Sequence, residues 1–233
     1  MRVSQPHVSI VIPCLNESAT VGACVHIARD AVARLDEHGE VIVVDNGSTD
    51  GSPDLAAAAG AQVLHEPRRG YGQAYLTGLA AARGDHLVMG DADLTYDFND
   101  TARFVAELEA GADLVIGNRM ASIRPGAMPW LHQYVGNPLM TRLVQRLHHT
   151  DVGDVWCGMR ALTRDAYETI GLTSTGMEFA LQMIVRSTQR GLDVREIPIV
   201  LHPRGGESKL DKVRDGLRGL RLIVSSRDGR RGR

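Results

Sequence analysis

Two aspartates stand two residues apart in Gly90-Asp91-Ala92-Asp93, directly after the apolar run 86–89. Carboxylates at that spacing in an extended turn can address one divalent cation, or one cation and one sugar. Hard oxygen donors suit Mg2+ or Mn2+, ions that share their coordination with phosphate oxygens. An isolated pair of this kind also occurs in surface turns, and it is the position after a strand that favours a metal. Asp45 likewise follows an apolar run, 41–44. Two readings stand there. The carboxylate accepts from a base or ribose hydroxyl, or Asp45-Asn46-Gly47-Ser48-Thr49-Asp50-Gly51 is turn chemistry for backbone reasons.

Arg68-Arg69-Gly70-Tyr71-Gly72-Gln73 opens a helical segment and could present backbone N–H groups to a phosphate. Tyr75 stands where a dinucleotide fingerprint needs its third glycine, and there is no Walker A sequence. Gly70 and Gly72 therefore read as places where the chain passes close to a ligand or to a sheet. Further along, Asp154 and Arg160 flank an aromatic and a glycine in Asp154-Val155-Trp156-Cys157-Gly158-Met159-Arg160, and Glu178 opens a helix after Gly176. Arg204, Ser208 and Lys209 lie in a glycine-containing loop. Bases beside glycine and serine suit a phosphate, which makes Arg160, Arg204, Ser208 and Lys209 candidate phosphate contacts. The histidines show no metal-ligand spacing, and Cys14, Cys24 and Cys157 form neither a CxxC pair nor an even disulfide set.

These residues need a frame. Strand signals at 8–12, 41–44, 62–65, 86–89 and 113–116 alternate with helical patterns at 21–35, 54–60, 72–82 and 99–110. Ser18 is expected to cap the first helix. Strands separated by helices of this length imply right-handed crossovers and a mostly parallel sheet flanked by helices. Ligands of such sheets bind outside the carboxyl ends of the strands, where Asn16-Glu17, Asp45, Asp91 with Asp93, and Asn118-Arg119 all fall. The second half is less regular. A helix is expected over 130–148, with a kink at Gly136-Asn137-Pro138, a strand over 157–162, a helix over 178–190 and a strand over 194–201. A final helix over 211–225 carries Val213, Leu217, Leu220 and Val224 on one face.

The 233 residues, 43% hydrophobic and 23% charged, suffice for one sizeable core. No apolar run approaches the ~18–20 residues of a membrane span, and the first nine residues lack an apolar signal core. With its cysteine usage, the chain is expected to be cytoplasmic. Its net charge of -2 is unevenly spread: residues 204–233 carry +6 and the first 203 carry -8. A basic end on an acidic body suits an anionic surface or substrate; equally, it is a solvated helix with a frayed end. No nucleic-acid partner is expected.

Taken together, Val8-Ser9-Ile10-Val11-Ile12-Pro13-Cys14-Leu15-Asn16-Glu17, Val43-Val44-Asp45-Asn46-Gly47-Ser48-Thr49-Asp50-Gly51 and Gly90-Asp91-Ala92-Asp93 resemble the family 2 glycosyltransferases. That family has the GT-A fold, a Rossmann-like α/β fold. The second half is similar to the dolichol-phosphate mannose/glucose synthase branch, on Gly117-Asn118-Arg119-Met120, Cys157-Gly158-Met159-Arg160, Gly176-Met177-Glu178-Phe179 and Ser208-Lys209-Leu210. The resemblance covers residues 7–222.

It implies one domain over 1–233, with a nucleotide-sugar half (1–117), an acceptor half (118–210) and a basic amphipathic end (211–233). It further implies transfer of a hexose from a UDP- or GDP-sugar to a polyprenyl phosphate, with inversion. Pro13, Leu15, Glu17, Asp45, Gly70, Gly72 and Ala92 would meet the donor, Asp91 and Asp93 the metal, and Arg119, Arg204 and Lys209 a phosphate. A phosphate acceptor is already anionic and needs no strong base; for a hydroxyl acceptor Asp154 or Glu178 would serve. The family commonly has a second acid where this chain has Asn46, and Gln where it has Thr95. A soluble small-molecule acceptor and a non-catalytic sugar-nucleotide binder remain alternatives. The basic end could rest on a membrane surface.

Overall fold

The computed structural model describes residues 7–35, 38–206 and 212–226. Seven strands form one sheet in the order β3-β2-β1-β4-β6-β5-β7. They are β1 (Val8–Cys14), β2 (Glu40–Asp45), β3 (Gln62–His65), β4 (His86–Met89), β5 (Leu114–Asn118), β6 (Arg160–Thr163) and β7 (Val194–Pro198). All neighbours pair in parallel except β6, which runs antiparallel to both β4 and β5. The strand expected over 157–162 thus starts at Arg160 and closes a gap between two parallel neighbours. Apolar β-branched residues fill both faces of β1, β2 and β5, as a sheet covered by helices requires.

Helices α1 (Val21–Ala33), α2 (Ser52–Ala58), α3 (Tyr71–Ala81), α4 (Thr101–Glu109), α5 (Asn137–His148), α6 (Arg164–Ile170), α7 (Phe179–Gln189) and α8 (Lys212–Ser225) complete the fold. A 3-10 turn, Phe98–Asp100, precedes α4, and a π-helical turn, His132–Gly136, precedes α5. The helix expected over 130–148 is continuous, and its π-helical turn ends at Gly136, where the kink at Gly136-Asn137-Pro138 is expected. The cap of α1 is Thr20, not Ser18, and its hydroxyl donates to the Ala92 carbonyl at 2.6 Å. That bond ties the start of α1 to the paired-aspartate turn.

The last helix turns a different face inward from the one its apolar residues suggest. Leu217, Leu220 and Val224 are exposed, whereas Gly219 and Ile223 are buried. A Cβ at Gly219 would meet Leu181 and Trp156, so the helix is seated by a backbone close approach and not by its leucines. No helix among the described residues is long and apolar enough to cross a membrane.

Candidate functional site

Register explains why the chemistry gathers at one edge. Cys14 pairs with Asp45, Asp45 with His65, and Val11 with Met89. The residues just beyond β1, β2 and β4 therefore emerge side by side. The chain order reverses between β1 and β4, so a crevice opens there between two diverging connections. A cavity of about 560 Å3 occupies it. Pro13, Leu15, Glu17 and Asn46 form one wall, and Asp91, Ala92 and Asp93 another. Arg69, Gly70, Arg204 and Arg218 close the rest, with Gly176 and Met177.

The aspartates are held in different ways. Asp93 is 3% exposed and accepts from the Thr95 N–H at 3.0 Å and the Thr95 hydroxyl at 2.5 Å. Thr95 thus orients the carboxylate. Asp91 accepts from the hydroxyls of Tyr71 (3.2 Å) and Tyr75 (3.4 Å). Burial, with the neighbouring Asp93 charge, pushes the Asp91 carboxyl up to about 7. The pair therefore lacks positive charge. Arg204 meets part of that need: its guanidinium lies 3.1 Å from Asp93 Oδ2 and 2.7 Å from Glu17 Oε1. Burial works against the Arg204 charge, but Asp93 and Glu17 outweigh it and raise its pKa. An arginine seated on the buried one of two neighbouring carboxylates is a protein-borne cation, and the oxygen-only donor set fits Mg2+ or Mn2+.

Asn46 has a role that its type did not announce. Its amide nitrogen donates to the Glu66 and Arg68 carbonyls, both at 2.8 Å, while its oxygen accepts from the Gly70 N–H at 2.8 Å. One side chain thus staples residues 66–70 to the end of β2. A carboxylate could not make the two donations, which is a physical reason for an amide here. Glu66 stiffens the same loop, accepting from Arg68, Gln73 and Thr77. Gly70, at φ 152°, and Gly72 pack against the 174–176 backbone, where a Cβ on either would collide.

The other expected residues fall into three groups. Asp45 lies beneath the cavity wall and accepts from the Gly47 and Ser48 N–H groups, with His65 Nδ1 3.3 Å away. Burial opposes its charge, but the Ser48, His65 and Gly47 contacts prevail and lower its pKa. Glu178 stands behind Gly176: one oxygen accepts from the Gly176 N–H at 3.2 Å, and the other is buried without a partner. Arg119, Asp154 and Arg160 turn away from the cavity. Arg119 forms a two-pronged pair with Asp154 at 2.6 and 2.7 Å, and the Asp154 side chain is fully buried. Arg160, 1% exposed, donates to the carbonyls of Cys157, Ala180 and Val155. Its donors are consumed by the fold, which leaves none for a phosphate; Arg119 and Asp154 neutralise each other and do not line the cavity. Ser208 and Lys209 lie outside the described residues. Arg69 and Arg218 are the cations that the sequence did not single out. Arg69 follows the stapled loop, and Arg218 arrives from α8, a helix far away in sequence.

Residues 9–171 match the model of the family described as glycosyl transferase family 2. The chain belongs to that family. It is 41% identical over 226 residues to the low-salt glycan biosynthesis hexosyltransferase Agl6 of Haloferax volcanii, covering 96% of this chain and 54% of that protein. The chain thus spans about half the length of that relative. It is 33% identical over 211 residues to the dolichyl-phosphate hexose transferase of the same organism, covering 89% of this chain and 88% of that one. Among solved structures, glucosyl-3-phosphoglycerate synthase of Mycobacterium tuberculosis, in complex with Mn2+, UDP-glucose and phosphoglyceric acid, superposes with a TM-score of 0.78. The identity is 24%, over 97% of this chain and 81% of that one. That likeness is one of fold, the GT-A fold.

Proposed function

We propose that this chain is an inverting hexosyltransferase that takes a nucleoside-diphosphate sugar as donor and a polyprenyl phosphate as acceptor, with a divalent cation. The observation that carries the reading is the Asp91/Asp93 pair at the β1/β4 crevice, short of positive charge in a cavity that Arg69, Arg204 and Arg218 also line. Asp91 and Asp93 would hold Mg2+ or Mn2+. Bound there, the cation supplies Lewis-acid neutralisation of the diphosphate leaving group. Thr95, Tyr71 and Tyr75 fix the two carboxylates before the donor arrives, so less reorganisation accompanies the reaction. Pro13, Leu15 and Asn46 shape the wall expected to take the nucleoside. Gly70 lets the backbone of the stapled loop approach the ligand.

A phosphate acceptor brings its own negative charge, so no strong general base is needed. Asp154 is spent on Arg119, which supports an acceptor that needs no base; Glu178 keeps one unpartnered oxygen and is the base candidate for a hydroxyl acceptor. Polyprenyl phosphate as acceptor is supported by the named acceptor of the 33% identical relative. It is further supported by exposed Trp130, Leu131, Tyr134 and Val135 beside α5 and exposed Leu217, Leu220 and Val224 on α8. These faces suit an acyl environment better than water. Residues 1–117 would then serve the donor and 118–210 the acceptor. A small phosphorylated acceptor is the second reading, favoured by the fold neighbour that holds phosphoglyceric acid.

A thermal-shift panel of UDP- and GDP-sugars with Mn2+ tests the donor assignment, because a ligand at one hundred times its Kd stabilises by about 2.7 kcal/mol. Transfer to undecaprenyl phosphate in detergent, but not to phosphoglycerate, is the expected acceptor result. Transfer to phosphoglycerate alone selects the second reading.

A further inference from the structure

The opposite end of β4 carries a second cluster that the donor site does not use. His86 opens β4, and its backbone N–H donates to the His7 carbonyl at 2.8 Å, which sets the two imidazoles side by side. Their ring centroids are 4.3 Å apart at an interplanar angle of 61°. Glu109, the last residue of α4, reaches the same place, with Oε1 3.4 Å from His7 Nε2. One donor atom from each of the three residues lies within 4.8 Å of the other two.

Two further features point to a ligand. His86 is 8% exposed, and its Nδ1 is buried without a hydrogen-bond partner, a costly state for an imidazole nitrogen. The other nitrogen of His7, Nδ1, faces the Asp85 carboxylate at 3.6 Å. A carboxylate on the far nitrogen is the arrangement that fixes the tautomer and ring orientation of a metal-binding histidine.

We propose that His7, His86 and Glu109 form a binding site for a borderline divalent cation, Zn2+ above all, that clips the start of β1 and β4 to the end of α4. Two imidazoles and one carboxylate make a Zn2+ ligand set that leaves a fourth position for water. Ligands at ~2.0–2.1 Å from a tetrahedral ion lie about 3.3 Å from one another. His7 and Glu109, with side chains 44% and 57% exposed, can close that gap by rotation around the fixed His86. The donor set separates this site from the oxygen-only Asp91/Asp93 pair, which suits harder ions. Five residue steps of chain, about 16 Å at the usual strand rise, separate His86 from Asp91.

Titration calorimetry with Zn2+ on the Asp91→Asn/Asp93→Asn variant tests the proposal without competition from the donor site. One Zn2+ per chain is expected, with affinity at least tenfold weaker when His7→Gln or Glu109→Gln is added. Both of these positions are solvent-facing, so the fold is kept. The unaltered chain in excess Mg2+ should show the same stoichiometry. Co2+ loading should give the visible bands of a tetrahedral centre, lost in His7→Gln. No uptake by the Asp91→Asn/Asp93→Asn variant, or a change below tenfold on adding either substitution, overturns the site.

Discussion

The amide of Asn46 makes an unusually exposed wager, because the family resemblance would put a second acid there. In the Asn46→Asp variant the acceptor for the Gly70 N–H is kept, but both donations from the side chain are lost. Leaving a buried carbonyl unpaired costs about 1–3 kcal/mol. The bond to the Glu66 carbonyl is fully buried and that to the Arg68 carbonyl only partly, so water recovers some of the second. The sum is about 2–4 kcal/mol, a large share of the ~5–15 kcal/mol that holds a domain together. Urea unfolding followed by circular dichroism at pH 7 measures it as a lower midpoint at unchanged slope.

The pH dependence gives an internal check. The introduced carboxyl faces two carbonyl oxygens, so its folded-state pKa is raised above its unfolded value. The variant then regains stability relative to the parent as pH falls through that raised pKa, and loses it again as pH rises. A loss below about 1 kcal/mol at pH 7, or a deficit that ignores pH, refutes the staple.

Other positions carry predictions of their own. In Asp154→Ala the Arg119 guanidinium is left buried without its partner, for a loss of about 3–5 kcal/mol measurable by the same urea method; a near-neutral result would show that water reaches the pair. Arg204→Gln removes the protein-borne cation from Asp93 and Glu17. Calorimetry should show Mn2+ alone binding several-fold more tightly and the nucleoside diphosphate more weakly. A parallel loss of both would contradict the competition. Burial pushes the thiols of Cys14 up to about 11 and of Cys24 and Cys157 up to about 12. The native protein should therefore resist thiol reagents at pH 8 and show three reactive groups only after unfolding.

The sequence carried the donor half of the fold well, for a physical reason. Strands 8–12, 41–44 and 86–89 are mostly apolar runs closed by Pro, Asp or Gly, and their order forces the crevice that collects Glu17, Asn46, Asp91 and Asp93. The second half was harder to read because its elements are defined by partners and not by period. Nothing within 157–162 says that this strand must run against both neighbours. The short helix α6 is marked only by Thr163, whose hydroxyl accepts from the Ala166 N–H at 3.1 Å. Arginines misled most. Arg119 and Arg160 look like surface cations in a list of residue types, yet one is neutralised by Asp154 and the other caps three carbonyls inside the fold. Their contribution is rigidity around the crevice. Of the cations that reach it, Arg204 is legible in the sequence, while Arg69 and Arg218 come from a loop and a helix whose placement depends on Asn46 and Gly219.

Paired-carboxylate binding of a cation that carries the donor diphosphate is best measured by paramagnetic resonance of Mn2+ with UDP or GDP. The structure predicts one Mn2+ per chain, taken up most tightly when the diphosphate is present, with affinity reduced at least tenfold in Asp91→Asn and in Asp93→Asn. Uptake unchanged in both variants would place the cation elsewhere and contradict the assignment.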